Sequence, residues 1–257
     1  MRQRIKDELV TFAHAVMFFT RLPVPRDLPF EQRYLDRTSM YAPVVGWIVG
    51  GIAAGVFWVG SQVLPVAPSL LLSMVATLLV TGAFHEDGLA DLCDGFGGGT
   101  TREQVLEIMK DSRIGTFGAA GLGMALALKF FALYEVPVLQ VPLVLVCGHS
   151  ISRLAAMSMI AFGTYARPQG KSKPLSTRLP MGRFVVALVL GLLPMALVDD
   201  LHMLLAVSFT TVALLVMAWR IVRRLGGYTG DGLGAIQQVT EVTFYLSWIG
   251  LTQWTVT

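Results

Sequence analysis

Charge is scarce in this sequence. Only 14% of its 257 residues are Asp, Glu, Lys or Arg, against 54% hydrophobic, and the mean hydropathy is +0.63. Soluble domains carry about 25% charged residues, so an ordinary soluble globule is excluded. Cysteine is nearly absent too: Cys93 and Cys147 are too few for a disulfide framework and are expected as free thiols. There is no internal repeat, no low-complexity segment and no stretch that reads as a soluble domain. A concentrated basic run is also missing, which excludes nucleic acid as a partner despite a net charge of +3. No cleavable leader is expected either, because "RLPVPRDLP" follows the apolar run Leu9 to Thr20 where small cleavage-site residues would stand.

What remains is an all-α, polytopic integral membrane protein forming a single domain over 1–257. A bilayer core needs about 20 mostly apolar residues per helix. Seven stretches qualify: 40–60, 68–84, 116–134, 138–162, 183–198, 201–219 and 236–256. Residues 1–20 are expected as an amphipathic helix on the membrane surface, with Arg2, Arg4 and Lys6 at the headgroups. Of the 20 basic residues, seven precede the first span, three lie between spans two and three, five between four and five if Arg183 at the very start of span five is included, and three between six and seven. Lys129 and Arg153 fall inside spans. The alternate loops carry none, so the N-terminus and segments 1–38 and 85–115 are expected on the cytoplasmic side. Trp58, Trp219 and Trp254 fall near span ends, as an aromatic belt requires.

The chemistry is concentrated in "FHEDGLADLCDGFGGGT", residues 84–100. Asp87, Asp91 and Asp94 stand at i, i+4 and i+7, one helical face, with Glu86 to the side. Like charges so spaced repel, and a cation would offset them. Hard oxygen ligands without His or Cys spacing favour Mg²⁺ or Mn²⁺ over zinc. The plain alternative is a solvated acidic loop. Next comes "KDSRIGTFG", in which Lys110, Ser112 and Arg113 offer a point charge, a hydroxyl and a planar fork suited to a diphosphate. Basic residues there also serve as a topology flank. Between the two, "TREQVLEIMK" reads as an amphipathic helix.

His149 and Arg153, four apart on span four, either reach a phosphate or form a structural pair with backbone or with Glu241. Lys129 is accounted for by packing or snorkelling and takes no assigned role. Arg167, Lys171 and Lys173 are a topology signal or a lid over an anion. Asp231, among Gly227, Gly230 and Gly232, is a further ligand or a turn residue.

Taken together, "EDGLADLCDGFGGG", "KDSRIGTFG", "GDGLGAIQQ" and the N-terminal "FFTRLPVP" resemble the cobalamin synthase family, the adenosylcobinamide-GDP ribazoletransferases. The resemblance covers nearly the whole chain. It implies a transferase that joins adenosylcobinamide-GDP to alpha-ribazole or its 5′-phosphate, releases GMP and requires Mg²⁺, at the inner face of a bacterial cytoplasmic membrane. In that setting Glu86, Asp87, Asp91 and Asp94 would hold the metal, Asp94 or Asp91 would take the acceptor's proton, and Lys110, Ser112, Arg113, His149 and Arg153 would hold the diphosphate. Oligomerisation stays open. A CDP-alcohol phosphotransferase has a related "DGxxA" start but an Arg where Asp91 stands, and two further Asp at wider spacing. A cation transporter would put its acidic groups near mid-membrane, whereas these follow the end of span two.

Overall fold

The computed structural model describes residues 2–166, 179–197 and 201–254, and all their regular structure is helical apart from an isolated bridge between Tyr165 and Tyr228. The elements are α1 (Arg2–Phe19), α2 (Gln32–Leu35), α3 (Ala42–Ser61), α4 (Val66–Thr81), α5 (Phe84–Gly98), α6 (Arg102–Ile108), α7 (Thr116–Tyr134), α8 (Val141–Phe162), α9 (Met181–Leu192), α10 (Leu201–Leu225) and α11 (Gly230–Trp254).

Helix α8 is the central post. It is buried on nearly every face, His149, Ser150, Ser152 and Arg153 included. Helix α3 lies along it with small residues at the seam, where Gly50 comes so close to Val146 that a Cβ would sit 2.7 Å from its Cα. Trp47 Nε1 donates to Ser150 Oγ at 3.0 Å across the same seam. Helices α9 and α11 pack around α8 and α5 packs on α11, while α4, α7 and α10 lie outside with apolar residues such as Leu79, Phe131, Val212 and Trp219 exposed.

Four helical segments are long and apolar enough to cross a bilayer: Gln32–Ser61, Thr116–Tyr134, Val141–Phe162 and His202–Leu225. Counting the bent pair α4 and α5 as one gives five, so the expected seven are not reproduced among the described residues. The differences have local causes. The stretch 68–84 stops short because Gly82 (φ 66°) and Ala83 (φ 56°) adopt the left-handed conformation and turn the chain by 88° into α5. Stretch 183–198 yields a 12-residue helix that tightens into a 3-10 turn, Leu193–Leu197, around Pro194. Stretch 236–256 belongs to a longer helix whose first half carries Asp231, Gln237, Gln238 and Glu241, and this lowers its hydropathy.

Helix α1 packs Ala15, Val16 and Phe19 inward, and Phe18 meets Phe84 edge-on at 5.7 Å. Just past it, the Arg21 N–H donates to Val80 O at 2.7 Å, stitching the N-terminal arm to the break between α4 and α5.

Three inter-helix connections meet at one end of the bundle. Arg102 Nε donates to Leu225 O at 2.8 Å and its Nη2 to Ala166 O at 3.1 Å. Arg224 donates to Gly99 O, and Ala166 and Tyr228 bond through their backbones. These are the connections expected to share the basic side.

Candidate active site

The acidic residues form helix α5, which begins at the break after α4. Glu86 and Asp87 stand in its first turn, where the positive end of the helix dipole favours them. The helix crosses α11 closely. A Cβ on Gly88 would lie 2.8 Å from Asp231 O, so that position requires glycine, and one on Gly234 would lie 3.0 Å from His85 O, a tight contact. That crossing brings Asp231 onto the acidic helix.

The four carboxylates then part company. Asp87 is exposed and Asp91 half-buried, one turn apart. Asp94 is buried, and both of its oxygens are in use: Oδ2 accepts the Gly115 N–H at 2.7 Å and Oδ1 the Gly118 N–H at 2.8 Å. Gly115 is the N-cap of α7, so Asp94 caps that helix from another element. Glu86 points inward and accepts from Gln238 Nε2 at 2.9 Å. Among the described residues no three His, Cys, Asp or Glu side chains are gathered closely enough to hold a metal by themselves. A Mg²⁺ ion usually takes one or two carboxylates and completes its shell with water and substrate phosphates. Asp87 and Asp91 fit that smaller requirement.

The basic loop follows α6, whose start is fixed by a capping box between Thr101 and Gln104. Val105 and Met109 of this segment pack on Gly95 of α5, which brings residues 110–115 beside the end of the acidic helix. Lys110, Ser112 and Arg113 are all exposed. The Arg113 fork grips Asp111, Nη2 to Oδ2 at 2.6 Å and Nε to Oδ1 at 3.0 Å. Bonds from this side chain, then from the Arg113 backbone N–H, draw the Asp111 carboxyl down to about 2.

Behind α5 lies a buried polar network. Lys129 Nζ of α7 sits 3.0 Å from Glu241 Oε1 of α11 and donates to Gln238 Oε1 at 3.1 Å. Gln238 carries the connection on to Glu86. Glu241 also accepts from Gln237 Nε2 and from the Tyr245 hydroxyl, and lies 3.5 Å from His149 Nδ1. Arg153 Nη1 donates to His149 O at 2.9 Å and stands 3.1 Å from His149 Nδ1. The structural pairing considered for His149 and Arg153 is therefore present, backbone and Glu241 included. Snorkelling does not describe Lys129, which is buried and ion-paired. Sequence reasoning left Lys129 without a role and did not single out Gln237, Gln238 or Tyr245. The usable signal was charge: Lys129 and Glu241 are opposite ionisable residues in apolar stretches, and such groups pair. Arg167 and Lys171 lie outside the described residues.

Oxygen ligands on one helix, with cationic donors on the loop beside it and in the interior behind it, suit an all-helical enzyme that handles phosphoryl groups. Sequence similarity narrows that class. Residues 11–249 match the cobalamin-5-phosphate synthase family, and the chain belongs to it. An adenosylcobinamide-GDP ribazoletransferase of Shewanella amazonensis is 44% identical over 249 residues, covering 94% of this chain and 95% of the relative. One from Ralstonia pickettii is 42% identical over 243 residues, covering 93% and 94%. No solved structure matches the chain.

Proposed function

We propose that the protein is an adenosylcobinamide-GDP ribazoletransferase, joining adenosylcobinamide-GDP to alpha-ribazole or its 5′-phosphate with release of GMP. The observation that carries this is the end-to-end match to relatives of that name, with the acidic helix and basic loop inside the matched region. In the reaction a ribose hydroxyl of the acceptor attacks the phosphorus on the cobinamide side of the diphosphate. The bond to the bridging oxygen breaks, GMP leaves with that oxygen, and the hydroxyl proton passes to a base.

Asp87 and Asp91 are the side chains we assign to Mg²⁺, which when bound would neutralise charge on the diphosphate. Lys110, Ser112 and Arg113 would hold the diphosphate from the loop; to do so Arg113 must exchange Asp111 for a phosphate oxygen. Proton acceptance falls to Asp91. Both oxygens of Asp94 are already engaged by the Gly115 and Gly118 N–H groups. Its contribution is to hold the start of α7 and the loop before it. Exposed apolar faces on α4, α7 and α10 support a seat in the bacterial inner membrane, with the end of the bundle that carries α6 in the cytoplasm.

The test is GMP release from adenosylcobinamide-GDP in detergent-purified protein, with alpha-ribazole as acceptor. Wild type should turn over with Mg²⁺. Asp87→Asn and EDTA should each abolish release. Full activity in excess EDTA would remove the metal assignment, and no GMP under any condition would remove the activity.

A further inference from the structure

We propose that a partly enclosed cavity between α1, α5, α8 and the first turn of α11 binds the terminal phosphate monoester of the acceptor, with Arg153 and His85 as its ligands. The cavity is small and has apolar walls that include Phe84, Met157 and Leu233. Two polar side chains line it. Arg153 is 2% exposed, and its Nε has no hydrogen-bond partner among the described residues although Nη1 is spent on His149. A buried guanidinium with an unused donor is costly unless something accepts from it.

His85 is 5% exposed and lines the same cavity. Gly230, the first residue of the 25-residue helix α11, lines the same cavity, so the positive end of that helix dipole adds to the pull on an anion. Apolar walls keep competing water out and strengthen each of these interactions.

The shape selects which anion. The donor's diphosphate is internal, with the cobinamide arm on one side and guanosine on the other, so it cannot enter a pocket closed on most sides. A phosphate at the end of a molecule can. Of the substrates in the proposed reaction, on which this inference rests, only alpha-ribazole 5′-phosphate ends in one.

The experiment compares kcat/KM for alpha-ribazole 5′-phosphate with that for alpha-ribazole, in wild type, His85→Gln and Arg153→Lys. Arg153 also holds His149, so His85→Gln carries the test if Arg153→Lys misfolds. Wild type should prefer the phosphorylated acceptor, and His85→Gln should lower the ratio of the two kcat/KM values by about 10- to 150-fold, the scale of a charge-assisted hydrogen bond. The loss should appear in KM for the phosphorylated acceptor, and inorganic phosphate should compete with that acceptor in wild type. Equal losses with both acceptors in the variant, or no preference in wild type, overturn the subsite. Absence of GMP release with either acceptor in wild type would instead overturn the activity on which it rests.

Discussion

Replacing Lys129 with Met isolates the contribution of the buried network. Lys129 Nζ lies 3.0 Å from Glu241 Oε1, and the two residues are 5% and 1% exposed, so no solvent takes over when the ammonium is lost. Breaking a buried pair by removing one partner costs about 3–5 kcal/mol, mostly because the other charge is stranded. Here Glu241 keeps the Gln237 amide and the Tyr245 hydroxyl as donors and has His149 nearby, which places the cost near the lower end, about 3 kcal/mol. Gln238 Oε1 loses its donor as well, and with it the link to Glu86 loosens.

Equilibrium unfolding in detergent should therefore show Lys129→Met strongly destabilised. The double variant Lys129→Met, Glu241→Gln should recover part of the loss, because it no longer buries an unpaired carboxylate. The difference between the sum of the single effects and the double effect gives the coupling, expected above about 1 kcal/mol. A single variant within about 0.5 kcal/mol of wild type, or a double variant whose loss equals the sum of the singles, would refute the pairing.

Asp94→Asn replaces one acceptor oxygen with an amide that faces a backbone N–H, so the unfolding midpoint should fall by the equivalent of about 1–3 kcal/mol and the start of α7 should gain amide exchange. Arg113→Lys keeps the charge but not the fork, and kcat/KM for adenosylcobinamide-GDP should drop about 10- to 150-fold; an unchanged value would make Arg113 only a staple on Asp111. Because the Asp111 carboxyl is held to about 2, below its usual value near 3.9, the pair is intact above about pH 4 and is lost only as pH falls through 2. Rate profiles between about pH 5 and 9 should accordingly show no titration from Asp111, which a comparison with Asp111→Asn checks. For topology, a cysteine introduced at Ser61 should be labelled from outside an intact cell and one at Thr101 only from inside, and the reverse pattern would invert the orientation.

Helices whose limits are set by neighbouring residues were legible in the sequence. The stretch 116–134 coincides with α7, and 138–162 starts three residues before α8, whose first turn contains Pro142. Helix α5 was legible as one acidic face because its spacing is local. The different fates of its carboxylates were not. Asp94 is committed by N–H groups of Gly115 and Gly118, and Glu86 by Gln238, all on other elements. Nothing near residue 82 in an apolar run announces an 88° bend, since Gly occurs harmlessly elsewhere in these helices, as at Gly51 and Gly123. Lys129 was left between packing and snorkelling because an ammonium in an apolar stretch can reach out to the interface or inward to a partner. Only the position of Glu241 decides between the two.

The stitch from Arg21 to Val80 sets an order of events during synthesis. The arm that holds Arg21 is made first, but its acceptor lies roughly sixty residues later, an interval of about 3–12 s at ~5–20 residues per second. Through that interval Ala15, Val16 and Phe19 have no protein surface to cover them, and the nearest apolar phase for an amphipathic helix is the membrane surface. The arm should therefore wait there, parallel to the bilayer, until α4 arrives. The turn into the acidic helix is then clamped by a segment that reached the membrane before it.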